Sequence, residues 1–183
     1  MDKIEVEKAE LTEVEQLQII SKQTFFESFA DLNTKENMQK YLDEGFTIDK
    51  LNIELANPNS EFYFAKLNNK IIGYLKINFG QAQTDLKDNN ALEIERIYVF
   101  KEFHGKQVGQ ILYETALNIA KQTNADYLWL GVWEKNPRAI SFYKKNGFIE
   151  FDKHIFKLGD DDQMDIMMKL NLSSTNFKNK DIH

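Results

Sequence analysis

Glu95-Arg96-Ile97-Tyr98-Val99, Phe100-Lys101-Glu102-Phe103 and His104-Gly105-Lys106-Gln107-Val108-Gly109-Gln110 form one continuous run, and its reading decides the fold. The run leads from a strand-like stretch, Leu92–Phe100, through a loop with glycine into the cleanest amphipathic stripe of the chain. That stripe is Val108, Ile111, Leu112, Thr115, Ala116 and Ile119, which share one face of a 3.6-residue helix. A strand feeding a helix through such a loop aims several backbone N–H groups at one spot, where the helix dipole favours an anion. Gly105 and Gly109 would let phosphates approach the backbone, and Lys101, His104 and Lys106 add positive character. A plain strand-to-helix turn, with glycines that only supply positive φ, accounts for the segment alone equally well. A Walker loop is unlike it, because Lys106 precedes Gln107 rather than Ser or Thr. A dinucleotide fingerprint needs a third glycine and an acidic ribose ligand, and neither is present.

Working outward toward the N-terminus, Ile4–Ala9 alternates as a strand, and Thr12 with Glu15 has the spacing of a capping box. The helix this predicts runs to Asp31 with Phe25, Phe29 and Leu32 on one face. Asn33 and Glu36 would cap a second helix that ends at Gly45, and a third carries Ile48, Leu51 and Leu55 before Pro58. Strands follow at Glu61–Leu67 and Lys70–Phe79 around an Asn68-Asn69 turn, then a polar loop from Gly80 to Asn90. Toward the C-terminus, Asp126–Trp133 reads as a buried strand. Asn136-Pro137 opens a helix that Gly147 closes. Phe148–Leu158 and Gln163–Leu170 are two closing strands around an acidic turn. The order βααα-ββ-β-α-β-α-ββ is an α/β arrangement on a mixed sheet. With no repeat or linker, residues 1–172 are expected to form one domain, followed by a polar tail at 173–183.

Composition narrows the chemistry. Of 183 residues 42% are hydrophobic and 13% aromatic, enough to fill a sizeable core. Cysteine is absent, which removes disulfide scaffolds, thiolate metal sites and a cysteine nucleophile. The formal net charge of −6 argues against bulk binding to nucleic acid. No apolar stretch is long enough to span a bilayer, and the charged start lacks a signal-peptide core. A soluble, cytoplasmic protein is the expectation. His104, His154 and His183 are far apart in sequence, and the Asp160-Asp161-Asp162 run lacks Ca²⁺-loop spacing, so no metal is expected.

Glu95–Val99 followed by His104–Gly109 resembles the acetyl-CoA motif of the GNAT N-acetyltransferase superfamily, Arg/Gln-x-x-Gly-x-Gly/Ala. Asn136-Pro137-Arg138-Ala139 leading to Phe142-Tyr143-Lys144-Lys145-Asn146-Gly147-Phe148 resembles that superfamily's next block. The resemblance is clearest from Leu92 to Phe148. His104 replaces the usual Arg or Gln, and Gln107 replaces the middle glycine, which a helical φ/ψ would accommodate. Tyr143, the Trp133–Ala139 context and Leu158–Asp165 are similar to PaiA-type spermidine/spermine N-acetyltransferases.

This resemblance implies a GNAT fold, a mostly antiparallel mixed sheet of about seven strands flanked by helices, with acetyl-CoA as the cofactor. It places Ile97, Tyr98 and Val99 along the acetyl arm, with the Val99 N–H as oxyanion donor. It places His104, Gly105, Lys106, Gln107, Val108, Gly109 and Gln110 around the pyrophosphate. Asn136, Arg138, Ala139, Tyr143 and Lys145 fall along the CoA chain, and Tyr143 is the implied general acid. The apolar phase of Leu92–Phe100 slips between Ile94 and Ile97, as a β-bulge would cause. Glu93 and Glu95 read as solvent-facing by themselves; the resemblance makes Glu95, ahead of Glu93, the candidate base.

Acetyl transfer to an amine needs that base, because an alkylammonium has a pKa near 10 and only about one molecule in 10³ is neutral at pH 7. By the same resemblance Glu27, Asp31, Glu93 and Asp161 would border an acceptor site, and their charge suits a polycationic amine, spermidine or spermine first. Direct transfer is expected, in a monomer or homodimer. A protein acetyltransferase with an open groove and a non-catalytic CoA-binding module are the rival readings.

Overall fold

The computed structural model describes residues 3–172. Its elements are β1 (Ile4–Lys8), α1 (Val14–Phe29), α2 (Lys35–Gly45), α3 (Ile48–Ala56), β2 (Ser60–Leu67), β3 (Lys70–Phe79), β4 (Ala91–Val99), α4 (Val108–Gln122), β5 (Tyr127–Trp133), α5 (Pro137–Lys145), β6 (Ile149–Leu158) and β7 (Asp161–Asn171). Seven strands form one sheet in the order β1-β2-β3-β4-β5-β7-β6. Only β4 and β5 pair in parallel; every other neighbour is antiparallel. The tail at 173–183 lies outside the described residues.

Hydrophobic patterning assigns the helices to opposite faces. The stripe of α4 (Val108, Leu112, Ala116 and Ala120) is buried with α5 on one face of the sheet. Leu17, Ile20 and Phe25 of α1, with Met38 and Leu51 from α2 and α3, are buried on the other. Gly73 on β3 permits the close approach of α4: a Cβ there would stand 3.0 Å from the Tyr98 carbonyl and 3.2 Å from Leu112. The Asn68-Asn69 turn between β2 and β3 has both residues left-handed, at φ 50° and 63°. That is the two-residue turn whose twist suits a hairpin.

Two features of β4 position everything that follows. Its register against β3 jumps from Lys76↔Arg96 to Ile77↔Ile94, which leaves Glu95 as the extra residue of a β-bulge. The bulge keeps Leu92, Ile94, Ile97 and Val99 all toward the α4 side, so the slipped apolar phase of the sequence has its cause. On its other edge, β4 pairs with β5 only at Ala91↔Tyr127, Leu92↔Leu128 and Glu93↔Trp129. Beyond Glu93 the two strands part, while β5 remains paired to β7 as far as Trp133↔Asp165. The result is a notch between two strands of an otherwise continuous sheet.

Several local expectations shift. The capping box at the start of α1 is Glu10 with Glu13, ahead of a short 3-10 turn, rather than Thr12 with Glu15. Thr34 caps α2 by accepting from the Asn37 N–H, a role expected of Asn33. Leu32 lies past α1 and is 61% exposed, because the chain turns away there. Asp161 and Asp162 belong to β7, so the acidic turn shrinks to Gly159-Asp160.

Candidate active site

The N-terminus of α4 opens onto a groove of about 750 Å³. Gly105 has φ +79° and Gln107, the residue before the helix, φ +63° and ψ 7°. These two left-handed residues turn the chain so that the first N–H groups of α4, which have no intrahelical acceptors, face the groove. A Cβ at Gly105 or Gly109 would meet nothing within 4 Å, so the backbone there is open to a ligand. Gln107 is therefore in the left-handed region that glycine favours, not the helical φ/ψ that would accommodate it without strain.

His104 joins the loop to two other elements. Its Nδ1 accepts from the Arg138 guanidinium at 2.8 Å, and its Nε2–H donates to the Val99 carbonyl at 2.9 Å. Arginine has no acceptor, so the imidazole is the Nε2–H tautomer. Of the residues expected around CoA, thirteen line this groove: Ile97, Tyr98, Val99, His104, Gly105, Gln107, Val108, Gly109, Gln110, Asn136, Arg138, Ala139 and Tyr143. Lys106 instead lies over the Phe103 ring, and Lys145 is exposed; neither lines it. Ser28 and Phe142 line it without having been expected.

A second, smaller cavity of about 250 Å³ lies on the α1–α2 side of the sheet. It shares Ile97, Tyr98, Asn136, Ala139 and Tyr143 with the groove, so the two meet at the notch. Phe100 N–H donates to Ile72 on β3. Strand alternation then turns the Val99 N–H to the opposite edge, where β5 has already departed. Asn136 caps α5 by accepting from the Ala139 N–H. Tyr143, in the last turn of α5, is 7% exposed, and its ring is flanked by Phe142 and Phe148 at centroid distances of 5.3 and 5.6 Å. Burial pushes its phenol well above the ordinary range, and its hydroxyl makes no hydrogen bond among the described residues. It is a protonated donor at any working pH.

Three carboxylates border the cavity, each differently placed. Glu93, 2% exposed, accepts from the Thr84 N–H at 2.8 Å, the Thr84 hydroxyl and Asn78 at 3.0 Å. Burial raises it from the ordinary range. Glu95 is 2.6 Å from Lys76, 3.0 Å from Arg96 and accepts from Asn78 at 2.6 Å. Burial alone would raise its pKa, but the Arg96 and Lys76 cations overcome that and hold it at about 2. Glu54 of α3 completes the cluster, bidentate to Arg96 and 3.1 Å from Lys76. A carboxylate so held is a counter-ion and a poor proton acceptor, which weighs against the base expected at Glu95. Neither Glu93 nor Glu95 faces bulk solvent.

Asp165 is the third. Burial raises it to about 6, against a lowering by His154. In the sequence it lies in the expected closing strand Gln163–Leu170, with no site role of its own. The remaining expected acceptor contacts are displaced. Glu27 accepts the Lys101 N–H at 2.8 Å and lines the larger groove, Asp31 is exposed, and Asp161 accepts from Gln163 outside the cavity. Asp160 and Asp162 are paired with Lys40 and Lys157. Aromatic rings make the rest of the wall: Phe25 stacked on Tyr41 at 4.3 Å, and Phe29 edge-on to Trp133 at 5.7 Å.

The Acetyltransferase (GNAT) family matches residues 22–148. The chain belongs to that family. It is an acetyl-CoA-dependent N-acetyltransferase. It is 43% identical over 150 residues to an uncharacterised N-acetyltransferase of Lactobacillus delbrueckii subsp. lactis, covering 82% of this chain and 87% of the other. It is 25% identical over 170 residues to a spermidine N(1)-acetyltransferase of Thermoplasma acidophilum, covering 91% and 96%. Among solved structures, the PaiA N-acetyltransferase of Thermoplasma acidophilum in complex with coenzyme A superposes with a TM-score of 0.77. That pair shares 23% identity over 93% of this chain and 99% of the other. The GNAT fold, the turn of N–H groups at α4 and the glycines with open space above them fit a pyrophosphate-bearing donor. Among the described residues no three metal-binding side chains cluster, and no helix is long and apolar enough to cross a membrane.

Proposed function

We propose that this enzyme acetylates a small cationic amine, with spermidine or spermine as the leading acceptors, by direct transfer. The observation that carries this reading is the second cavity: small, aromatic-walled, edged by Glu93 and Asp165, and joined to the donor groove at Tyr143. Aromatic faces and carboxylates together suit an ammonium on an apolar arm. Its limited volume favours a slender amine over a folded protein surface. Similarity to the Thermoplasma spermidine enzyme supports the polyamine. The attracting field comes from Glu93 and Asp165 at the cavity, with Asp85 behind His154, since Asp160 and Asp162 have lysine partners.

Acetyl-CoA supplies the thioester that the amine nitrogen attacks. The α4 N–H groups and Arg138 hold its phosphates, and Asn136 and Ala139 border its arm. Val99 N–H, aimed into the notch, takes the charge that develops on the carbonyl oxygen. Tyr143 gives its phenolic proton to the departing sulfur and recovers one from the amide nitrogen. The lack of cysteine fits direct transfer and a cytoplasmic setting.

The test is CoA release from acetyl-CoA against spermidine, spermine, putrescine, a lysine peptide and an aminoglycoside. Saturable turnover with spermidine or spermine is expected. Turnover with the lysine peptide alone would replace this reading with a protein acceptor.

A further inference from the structure

Amine acetylation requires a group that takes a proton from the ammonium, and the two β4 glutamates are ill placed for it. Glu95 is held by two cations, and both oxygens of Glu93 are occupied by donors from Thr84 and Asn78. Asp165 accepts no hydrogen bond among the described residues and lines the cavity from the β5–β7 side.

The sheet makes room for it. Asp165 pairs across β7–β6 with His154 and across β7–β5 with Trp133. Its carboxylate reaches over Gly131, where a Cβ would stand 3.3 Å from Oδ2 and 3.2 Å from the His154 Cε1. A glycine inside an otherwise apolar strand marks such a close approach. His154 Nε2 is 3.8 Å from Asp165, and its Nδ1 is 3.2 Å from Asp85. Asp85 is 41% exposed, so the row Asp165, His154, Asp85 leads from the cavity to solvent.

We propose that Asp165 is the proton acceptor for the amine substrate, with Gly131 and His154 as positioning residues. This rests on the amine-acetylating reading above. In the step, an N–H bond of the bound ammonium breaks and an O–H bond forms on Asp165, leaving a neutral amine with its lone pair free. Asp165 then releases the proton to solvent on the side where His154 and the exposed Asp85 lie. Burial acts on both partners in the useful direction: it lowers an ammonium enclosed by aromatic rings and raises the carboxyl, so their proton affinities converge. The groups facing Asp165 are His154 on β6, Asp85 before β4, Tyr41 on α2 and, across the cavity, Arg96 with its paired glutamates.

Asp165→Asn tests this with two readouts. For turnover with the amine that the wild type accepts best, kcat/KM at pH 7 should fall about 10²-fold, with the deficit narrowing as pH rises toward the amine's own pKa. Calorimetry of spermidine binding to the CoA complex, in buffers of different ionisation enthalpy at pH 5.5, should show proton release in the wild type and none in Asp165→Asn. Gly131→Ala should lower kcat/KM on the order of tenfold through displacement of the carboxylate, with acetyl-CoA affinity unchanged. Equal turnover and equal proton release in the wild type and Asp165→Asn would overturn the role of Asp165 while leaving amine acetylation intact. A wild type that neither binds nor acetylates any amine would overturn both. Thermal melting of each variant separates misfolding from loss of chemistry, and Asp165→Glu then serves as the folded carboxylate control. Glu at this position should regain part of the turnover, and a folded Asp165→Glu no better than Asp165→Asn would count against a carboxylate base.

Discussion

Glu95 and Arg96 are neighbours in the chain, yet both side chains lie on the same side of the sheet, 3.0 Å apart. Ordinary strand alternation would send them to opposite faces. The bulge at Glu95 removes one step of that alternation and delivers both charges to a cluster with Lys76 and Glu54. The same irregularity keeps the apolar residues of β4 on the α4 face, beside the notch where the strands part. One inserted residue thus serves packing, charge pairing and access to the site.

Acid stability should report on this cluster. The Glu95 carboxyl is held at about 2, below the roughly 4.3 of an unfolded glutamate. Its contribution is complete above the unfolded value and is lost as pH falls from about 5 to about 2. It amounts to about 3 kcal/mol. Between pH 6 and 3 this loss runs against the gain at Asp165, which Glu95→Gln shares, so comparing urea midpoints of that variant and the wild type isolates it. Glu95→Gln should be less stable at pH 7 by about 3–5 kcal/mol, because Lys76 and Arg96 keep only Glu54, and that gap should narrow as pH falls from 6 to 3. A gap between the two proteins that stayed constant from pH 6 to 3 would contradict the ion pairing.

Asp165 should behave oppositely. Its folded carboxyl sits at about 6, above the roughly 3.9 of an unfolded aspartate. A raised carboxyl favours folding below the unfolded value, and that advantage disappears as pH rises through about 6. At pH 7 the buried charge therefore costs about 2–3 kcal/mol, which Asp165→Asn should recover as a higher urea midpoint. At pH 4 the two proteins should be nearly equal. Stability gained where activity is lost is the signature of a group kept for chemistry.

The sequence disclosed the bulge because apolar residues must keep to one face, and Ile94 and Ile97 break the period of two. It disclosed the α4 turn and the α5 start because glycine, asparagine and proline act locally. The charge cluster was hidden, since Glu54, Lys76 and Glu95 come from three elements that only the packing of α3 on the sheet brings together. Glu27 was misplaced because its partner is a backbone N–H, which no side-chain pattern reveals. For Asp165 a signal existed. Gln163 and Asp165 alternate with Met164 and Ile166 in the expected closing strand, and Gly131 interrupts an apolar one, but the neighbouring aspartates drew the acceptor reading to the turn.

Gln107 carries a left-handed backbone that costs a non-glycine residue about 1–2 kcal/mol. Gln107→Gly relieves this strain but adds freedom to the unfolded chain, so its melting temperature should change little. Gln107→Val places a β-branched side chain in the same conformation. It should lower stability by about 1–2 kcal/mol and weaken acetyl-CoA binding, because the N–H groups at the start of α4 shift. Melting curves and acetyl-CoA titrations of the two variants check this. Equal behaviour of Gly and Val would mean that the residue does not hold φ near +63° in solution.

Tyr143 lines both the larger groove and the smaller cavity, while its ring packs against Phe142 and Phe148. Tyr143→Phe removes only the hydroxyl and keeps those ring contacts, so folding should be preserved. Acetyl-CoA affinity should stay within about twofold, since the proposed hold on the phosphates comes from backbone N–H groups and Arg138. Loss of the proton donor should lower kcat by about 10²–10⁴-fold, the usual worth of general acid catalysis. Because burial keeps the phenol protonated, the wild-type rate should show no alkaline limb from this residue at pH 7 to 9. Single-turnover acetylation of the best amine measures the chemical step directly. A Phe variant that retains wild-type single-turnover rates would remove Tyr143 from the mechanism and leave the departing sulfur to take its proton from water.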